Sequence, residues 1–227
     1  MLAATPPSNS WSYRTQGAFS LPGYANGAFS VALAAKFLLV NCLGRGSWYP
    51  GMELSVDGDK WFEIDLAMWW QDYDLLAPDL ILAECKTFDE FDDRDFERAK
   101  WAIEKFPECT FVFATLKAAL SFKEIQGIKK IVLSSRRTPR QYGRGKKRKL
   151  NVLVLTAKEL LESVPPPFCW RPEAMYRSLK NQYDDSSNLS PLERLCDITQ
   201  QLHLGLPSLL EWTIERKKLI TKGGNKN

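Results

Sequence analysis

Two stretches of the chain decide its fold: residues 61–69 read WFEIDLAMW and residues 79–86 read DLILAECK. Both are rich in aromatic and aliphatic side chains, which is typical of strands. The connection between them contains Asp72, Asp74 and Pro78, which predict a hairpin loop longer than a tight turn. The two segments are therefore expected to lie side by side as antiparallel strands.

Side chains on a strand alternate between its two faces. In the first strand this alternation puts Asp65 and Ala67 on one face and Ile64 on the other. In the second strand it puts Glu84 and Lys86 on one face. If the hairpin pairs in register, Asp65 and Glu84 become cross-strand neighbours with Cβ atoms about 5 Å apart. The pattern thus predicts two adjacent carboxylates with a lysine beside them.

Two simpler interpretations compete with a functional site. The charges could lie on a solvated strand face, but Leu80 and Leu82 share the predicted face of Glu84, and the opposite face is apolar too. A strand that is apolar on both faces is typical of a buried position. The second alternative is a buried ion pair without chemistry, in which Lys86 joins Glu84 or Asp65. This alternative stays open at the level of sequence.

A pair of close carboxylates repels unless one of them takes a proton or a cation lies between them. Oxygen ligands suit Mg²⁺, which commonly uses one or two carboxylates together with water and a substrate phosphate. A bound ion of this kind activates water and polarises a phosphoryl oxygen. Lys86 is expected in the same place, where it could orient or help deprotonate the attacking water, or offset charge on the phosphate.

These residues resemble the PD-(D/E)XK nuclease superfamily, which has the restriction-endonuclease-like fold. Asp65 matches the acid on the first strand, and Glu84-Cys85-Lys86 matches the (D/E)-x-K on the second. The resemblance implies that Asp65, Glu84 and Lys86 are catalytic. It also implies that Asp65, Glu84 and the main-chain carbonyl of Cys85 bind Mg²⁺ or Mn²⁺. The resemblance extends over about residues 24–160.

The chain departs from the family pattern in one respect. Many members carry a further acid on the first helix, whereas residues 27–40, a predicted buried core helix, contain no Asp or Glu. Glu63 or Glu53 is the candidate substitute, which leaves the number of metal ions open. The literal dipeptide Pro78-Asp79 makes Asp79 an alternative to Asp65, but Asp79 begins the same strand as Glu84.

The order of predicted elements supports the resemblance independently. It is α-β-β-β-α-β-α-β-α, and it begins with the αβββαβ core of the family. Two sequences, TFDE at 87–90 and TAKE at 156–159, predict capping boxes at helix starts. We therefore expect an α/β fold with a mixed central sheet flanked by helices. Three prolines at 165–167 predict a boundary between a nuclease domain, 1–164, and a small helical C-terminal appendage, 165–227.

A basic segment predicts contact with nucleic acid. It lies between a predicted helix and strand, is free of acids and contains two glycines, so a flexible loop is expected. Such a loop binds phosphates without sequence preference. A solvated charge run is the simpler alternative. The predicted DNA contacts are Arg136, Arg137, Arg140, Arg144, Lys146, Lys147, Arg148 and Lys149. The helix after the motif adds three candidates, Arg94, Arg98 and Lys100.

The composition narrows the chemistry. A net charge of +4 over 227 residues does not by itself indicate nucleic-acid binding. The five cysteines lack C-x-x-C spacing, which disfavours zinc and disulfides, and the single histidine, His203, disfavours histidine-based nuclease sites. No phosphate loop of the form G-x-x-x-x-G-K-[ST] occurs. Isolated cysteines and the lack of a signal peptide or an apolar membrane span lead to an expected cytoplasmic location.

The leading functional hypothesis is a metal-dependent DNA endonuclease of the restriction, mobile-element or repair type. The alternative is a catalytically inactive nuclease-like subunit that binds DNA or a protein. In a larger complex, residues 168–227 would be the docking surface for a partner protein. Double-strand cutting with one site per chain is expected to need two chains, which predicts a homodimer.

Overall fold

The computed structural model describes residues 25–42, 45–56, 59–71, 79–137, 140–142, 146–148, 150–185 and 189–223. Within these ranges the chain forms seven α-helices and seven strands. Their order is α1 (Ala25–Asn41), β1 (Arg45–Val56), β2 (Asp59–Gln71), β3 (Asp79–Lys86), α2 (Asp93–Lys105), β4 (Cys109–Thr115), α3 (Phe122–Arg137), β5 (Arg140–Tyr142), β6 (Lys146–Arg148), β7 (Val152–Leu155), α4 (Ala157–Leu161), α5 (Tyr176–Asp184), α6 (Pro191–Leu204) and α7 (Leu209–Gly223).

The fold is α/β with an open, mixed, five-stranded sheet in the order β1-β2-β3-β4-β7. Strands β1, β2 and β3 are antiparallel, whereas β4 and β7 run parallel to β3. The predicted order α-β-β-β-α-β is present at the start of the described chain. The pair β5–β6, which the sequence did not predict, forms a separate two-stranded sheet. None of the described helices is both long enough and apolar enough to cross a membrane.

The sheet is covered on both faces. On one face, which we call the α1 face, Leu38 of α1 shares a hydrophobic cluster with Ile81 of β3 and Leu195 of α6. On the other, the α2 face, Phe96 of α2 and Ile128 of α3 share a cluster with strands β3 and β4. Helix α1 is only partly the buried helix that was predicted, because Phe29 and Val40 are 57% and 63% exposed.

The alternation of β2 shifts around Asp65. Ile64 and Ala67 belong to the same α2-face cluster, although an unbroken strand would put them on opposite faces, while Leu66 lies on the α1 face. In β1, the residue between the partners of Ile64 and Leu66 is Gly51, whose φ of +61° is a conformation that other residues rarely adopt. The predicted alternation is therefore wrong on the amino-terminal side of Asp65.

Helix α2 begins later than the sequence predicted. The capping box expected at Thr87–Glu90 does not form; instead Asp92 accepts hydrogen bonds from the backbone of Arg94 and Asp95, and Asp95 accepts one from the backbone of Asp92. Asp92 prevails because it lies directly before the helical turn whose N–H groups need acceptors. The second predicted box, Thr156 with Glu159 at α4, is confirmed.

The C-terminal helices are part of the main core, so the division at 164/165 does not separate two cores. Trp170 is fully buried and belongs to the α1-face cluster. Helix α6 lies along the edge strand β7, where Thr199 Oγ1 accepts from Val154 N at 3.3 Å. Gln200 Nε2 donates to Val152 O at 2.6 Å. These side chains satisfy backbone groups that an edge strand leaves unpaired. Helices α5 and α6 of the predicted appendage therefore pack into the main core.

Candidate active site

The end of the β2–β3 ladder brings the predicted acids together. Leu66 pairs with Ala83, and the next position in this register joins Asp65 to Glu84. Asp65 Oδ2 accepts a hydrogen bond from the backbone N of Cys85 at 2.7 Å. A side-chain oxygen thus takes the place of a backbone acceptor where the regular strand pairing ends. The predicted cross-strand approach of Asp65 and Glu84 is thus present.

Lys86 points into the same place. Its Nζ lies 3.3 Å from Glu84 Oε1 and 3.2 Å from the carboxylate of Asp95. Glu84 is 2% exposed, so its carboxylate lies almost wholly out of water. Cys85, between these two residues, turns to the α1 face, where burial raises the pKa of its thiol well above the usual value. The thiol is therefore a core group and not a nucleophile.

Helix α2 supplies two further charged groups to the site. Asp95 is buried in the first turn of α2, and Arg98 follows one turn later on the same side. Arg98 Nη1 lies 3.2 and 3.4 Å from the two carboxylate oxygens of Glu84. Of the three basic candidates on α2, only Arg98 enters the site: Arg94 is exposed, and Lys100 pairs with Glu97 at 3.4 Å. Asp95 was not among the residues predicted from sequence, where its only signal was its i, i+3 spacing from Arg98.

Burial and mutual repulsion raise the pKa of both Asp65 and Glu84. Burial, reinforced by Asp65 and Asp95, raises the pKa of Glu84 from 4.5 to about 8. Burial also raises the pKa of Asp65, against the lowering effect of the Cys85 N–H. For Lys86, burial alone would lower the pKa, but Glu84 and Asp95 together raise it. Lys86 therefore stays protonated at neutral pH. Glu84, with its raised pKa, can release its proton when another cation binds.

The donor set suits a hard divalent cation. Asp65 and Glu84 offer carboxylate oxygens, and Mg²⁺ needs only one or two of them besides water and phosphate. Within the described ranges, no group of three or more His, Cys, Asp or Glu side chains is arranged to hold a metal ion. The two oxygens of Glu84 already contact Arg98 and Lys86. Metal binding at this site would therefore require Glu84 to exchange partners.

The other acids named from the sequence have different positions. Glu63 and Glu53 pair across β1 and β2, and both are exposed. Glu63 is close enough to Asp65 to raise the pKa of that carboxyl. Asp79 pairs with Trp70 at the opposite end of β3 from Glu84, about 17 Å away along the strand. Asp79 is therefore no substitute for Asp65.

The basic segment requires one correction. Arg136 is fully buried and cannot contact DNA: it donates to Pro207 O and to Gln200 Oε1, both at 2.8 Å, and lies 3.4 Å from Asp197. Its position in the last turn of α3 directs it under α6. Arg137 is exposed. Arg144 and Lys149 lie outside the described residues, as do the side chains of Arg140, Lys146, Lys147 and Arg148.

Helix α3 carries a basic row that the sequence analysis did not identify. Lys123, Lys130 and Arg137 are exposed and recur every seven residues, so they lie along one side of the helix. The row extends about 21 Å. The single acid of α3, Glu124, is buried and pairs with Lys117 at 2.7 Å. In sequence, the remaining basic segment follows Arg137.

The single histidine lies in the core and not in this site. His203 Nε2 is 3.0 Å from Glu159 Oε1, and the same oxygen accepts from Trp170 Nε1 at 2.8 Å. Its side chain is 8% exposed. His203 therefore joins α6 to α4 as a structural contact.

The raised pKa of Glu84 predicts a pH dependence of stability. Between pH 4.5 and about 8 the folded protein holds a proton that the unfolded chain releases, so stability must fall as pH rises through this interval. In EDTA we expect the free energy of unfolding to drop by about 2–4 kcal/mol between pH 5 and 8, and to drop much less in Glu84→Gln. Urea unfolding at several pH values measures this, with exposed Glu97→Gln as the control. If the free energy of unfolding fell equally steeply with pH in Glu84→Gln and in wild type, the prediction would be contradicted.

The chain was compared with protein-family models, with curated proteins and with solved structures. No family model, curated protein or solved structure matches it. A functional assignment therefore depends on the geometry and chemistry of the site formed by Asp65, Glu84, Lys86, Asp95 and Arg98.

Proposed function

We propose that this protein is a metal-dependent endonuclease that hydrolyses DNA phosphodiester bonds on a restriction-endonuclease-like core. The observation that carries the proposal is the meeting of Asp65, Glu84 and Lys86 at the end of the β2–β3 ladder. The α-β-β-β-α-β order and the mixed sheet support it. Restriction, mobile-element and repair enzymes are the biological classes that fit such an activity.

In this proposal Asp65, Glu84 and the main-chain carbonyl of Cys85 hold Mg²⁺ or Mn²⁺. The ion, when bound, supplies Lewis acidity toward the phosphate and a more acidic water. One oxygen of Asp65 is held by the Cys85 N–H at 2.7 Å, which fixes the carboxylate beside Glu84. Water and a phosphodiester then yield a phosphomonoester and an alcohol, with the water oxygen bonding to phosphorus as the ester bond breaks.

Lys86 acts as a cation and not as the base. The acids Glu84 and Asp95 keep its pKa raised, so its ammonium group retains the proton. Two contacts of similar length, 3.3 Å to Glu84 and 3.2 Å to Asp95, fix its Nζ. In this position Lys86 orients the attacking water by hydrogen bonding and stabilises negative charge that develops on the phosphate.

The test is cleavage of a supercoiled plasmid by the purified protein. Cleavage is expected with Mg²⁺ or Mn²⁺ and not with EDTA. Open-circular and linear products would report single- and double-strand cutting, and dependence of the linear product on protein concentration would support a homodimer. A failure to cut single- or double-stranded DNA with either ion would overturn the proposal.

The DNA is expected to follow the basic row of α3. Replacing Lys123, Lys130 and Arg137 by Gln should weaken DNA binding about 10- to 100-fold in EDTA, where no cleavage occurs. The slope of log affinity against log salt should fall by about 2–3. The matched control changes three exposed cations on other helices, Lys36→Gln, Lys105→Gln and Arg177→Gln. Equal losses in both triple variants would show that only net charge matters.

A second candidate function is a nuclease-like subunit that binds DNA or protein without cutting. The engagement of both Glu84 oxygens by Arg98 and Lys86 favours it, since these contacts complete an ion-pair cluster without metal. Calorimetric titration with Mn²⁺ discriminates between the two functions. A cutting enzyme should bind Mn²⁺ in a manner that depends on Asp65, whereas a subunit of this kind should give no such binding.

Docking of a partner protein through residues 168–227 remains part of the second proposal. Because α6 covers the edge of the sheet, deleting this region would remove core residues and could not test docking. Leu210 and Ile214 of α7 are 71% and 43% exposed and stand one turn apart. Substituting both by Ser leaves the core intact and tests whether a co-purifying protein is lost.

A further inference from the structure

Arg98 contacts the carboxylate of Glu84, which the proposed metal ion would need as a ligand. Its side chain is 11% exposed, and one guanidinium nitrogen, Nη1, lies 3.2 and 3.4 Å from the two oxygens of Glu84. A guanidinium fork has the geometry to bind a carboxylate or a phosphate through two oxygens. Arg98 therefore occupies the ligand that the proposed ion would take, and it presents a group suited to the proposed substrate.

The two cations of the site are not held equally. Lys86 has a second acid at short range, with its Nζ 3.2 Å from Asp95. Arg98 is 3.8 Å from Asp95, beyond ordinary hydrogen-bond distance. If Glu84 turns to a metal ion, Lys86 keeps a partner, whereas Arg98 loses its only short contacts to an acid among those the structure describes. The cation that becomes free is thus Arg98.

The formal charges of the site fit one divalent ion and one phosphodiester. With every group ionised, the acids Asp65, Glu84 and Asp95 carry three negative charges, and Lys86 and Arg98 carry two positive ones. For these five groups in their ionised forms, a single divalent ion changes the net charge from minus one to plus one. That charge equals and opposes the single negative charge of a phosphodiester. A second ion would leave the loaded site with an excess of two positive charges in a place with little access to water.

We propose that Arg98 is an exchange residue, which pairs with Glu84 in the metal-free protein and transfers to the phosphodiester when a single divalent ion takes Glu84. The proposal rests on the function proposed above and adds the stoichiometry of one ion and a direct phosphate contact from α2. It makes Arg98 both a competitor of the metal and a ligand of the substrate. These two roles have opposite consequences when the side chain is removed.

The experiment compares wild type, Arg98→Gln, Arg98→Lys and the control Arg177→Gln, which makes the same change at an exposed residue of α5. Calorimetry with Mn²⁺ and DNA-free protein reports metal binding and its stoichiometry; plasmid cleavage at saturating Mn²⁺ reports the substrate role. Arg98→Gln should bind Mn²⁺ about 5- to 30-fold more tightly than wild type. It should cleave about 100- to 1,000-fold more slowly. Wild type should bind one ion.

The conservative variant separates exchange from structural support. Arg98→Lys should recover part of the cleavage rate, because it keeps the charge but loses the fork, and its Mn²⁺ affinity should lie between those of wild type and Arg98→Gln. Arg177→Gln should match wild type in both measurements. A merely structural Arg98 would weaken metal binding and cleavage together, and this result would overturn the proposal while leaving the nuclease function intact. Two ions per chain would also overturn it. A wild type that neither binds Mn²⁺ nor cuts would overturn both proposals.

Discussion

Replacing Lys86 by Ala should reduce plasmid cleavage by about three orders of magnitude and leave Mn²⁺ binding within a few-fold of wild type. The reason is that Lys86 contributes a charge and a hydrogen-bond donor but no metal ligand, and its Nζ is fixed by Glu84 and Asp95. Removing the side chain leaves both carboxylates of the proposed metal site present. The measurement is single-turnover cleavage beside a calorimetric Mn²⁺ titration.

Asp65→Asn should lose both properties, because the amide keeps the shape of the side chain but removes the charge that attracts the ion. Lys105→Ala is the matched control for Lys86→Ala, since Lys105 is exposed in the last turn of the same helix that supplies Asp95. Its cleavage and metal binding should equal those of wild type. If Lys86→Ala still cleaved at a tenth of the wild-type rate or faster, the reaction would have to occur elsewhere on the protein.

Two adjacent arginines should give opposite results. Arg136→Ala should lower the free energy of unfolding by about 3–5 kcal/mol, because it removes a buried cation that joins α3 to Pro207, Gln200 and Asp197. Arg137→Ala, next to it in sequence but exposed, should change stability by about 0.5 kcal/mol or less. Urea unfolding followed by tryptophan fluorescence measures both.

DNA binding should show the reverse order. Arg137→Ala should weaken it, since Arg137 ends the exposed basic row of α3, whereas Arg136→Ala should leave it unchanged at temperatures where the variant stays folded. An Arg136→Ala variant as stable as wild type would contradict the interpretation of this residue as a link between α3 and α6. Thermal melts of both variants set the temperature for the binding assay.

The β2–β3 hairpin was predictable because its information is local. Period-two alternation and a single connecting loop fix which residues of adjacent strands meet, and Leu66 does pair with Ala83 in the register that joins Asp65 to Glu84. The shift of alternation near Asp65 was not predictable, because it occurs opposite Gly51 of another strand. Asp65 still approaches Glu84, because the shift occurs at Asp65 itself and leaves the pairing of Leu66 with Ala83 unchanged.

Asp95 could not be assigned to the site from sequence, and Arg98 was one of three basic candidates on α2 that the sequence did not distinguish. Which side of α2 meets β3 depends on where the helix begins, and it begins after Asp92 and not near Thr87. A displacement of five residues rotates a helix by more than a full turn, so it changes the face that each side chain shares with the strand. The sequence pattern predicted a cap only at Thr87, whereas Asp92 caps the helix.

Arg136 illustrates a limit of charge patterns. In sequence it is one of several basic residues, and its burial depends on acceptors in α6 and beyond it, more than 60 positions later. The contacts of α6 are also with residues distant in sequence, and for this reason α6 was predicted to be part of a separate appendage. Amphipathic periodicity predicts that a helix has an apolar face, but it does not say whether that face meets its own sheet or a partner.

The position of a bound metal ion decides whether Asp65 and Glu84 form a metal site. Crystals soaked in Mn²⁺ should show one anomalous peak within about 2.0–2.4 Å of carboxylate oxygens of Asp65 and Glu84, with Arg98 moved away from Glu84. A crystal with no peak at saturating Mn²⁺, and with Glu84 still bound by Arg98 and Lys86, would contradict the account. It would leave these residues as an ion-pair cluster that only supports the fold.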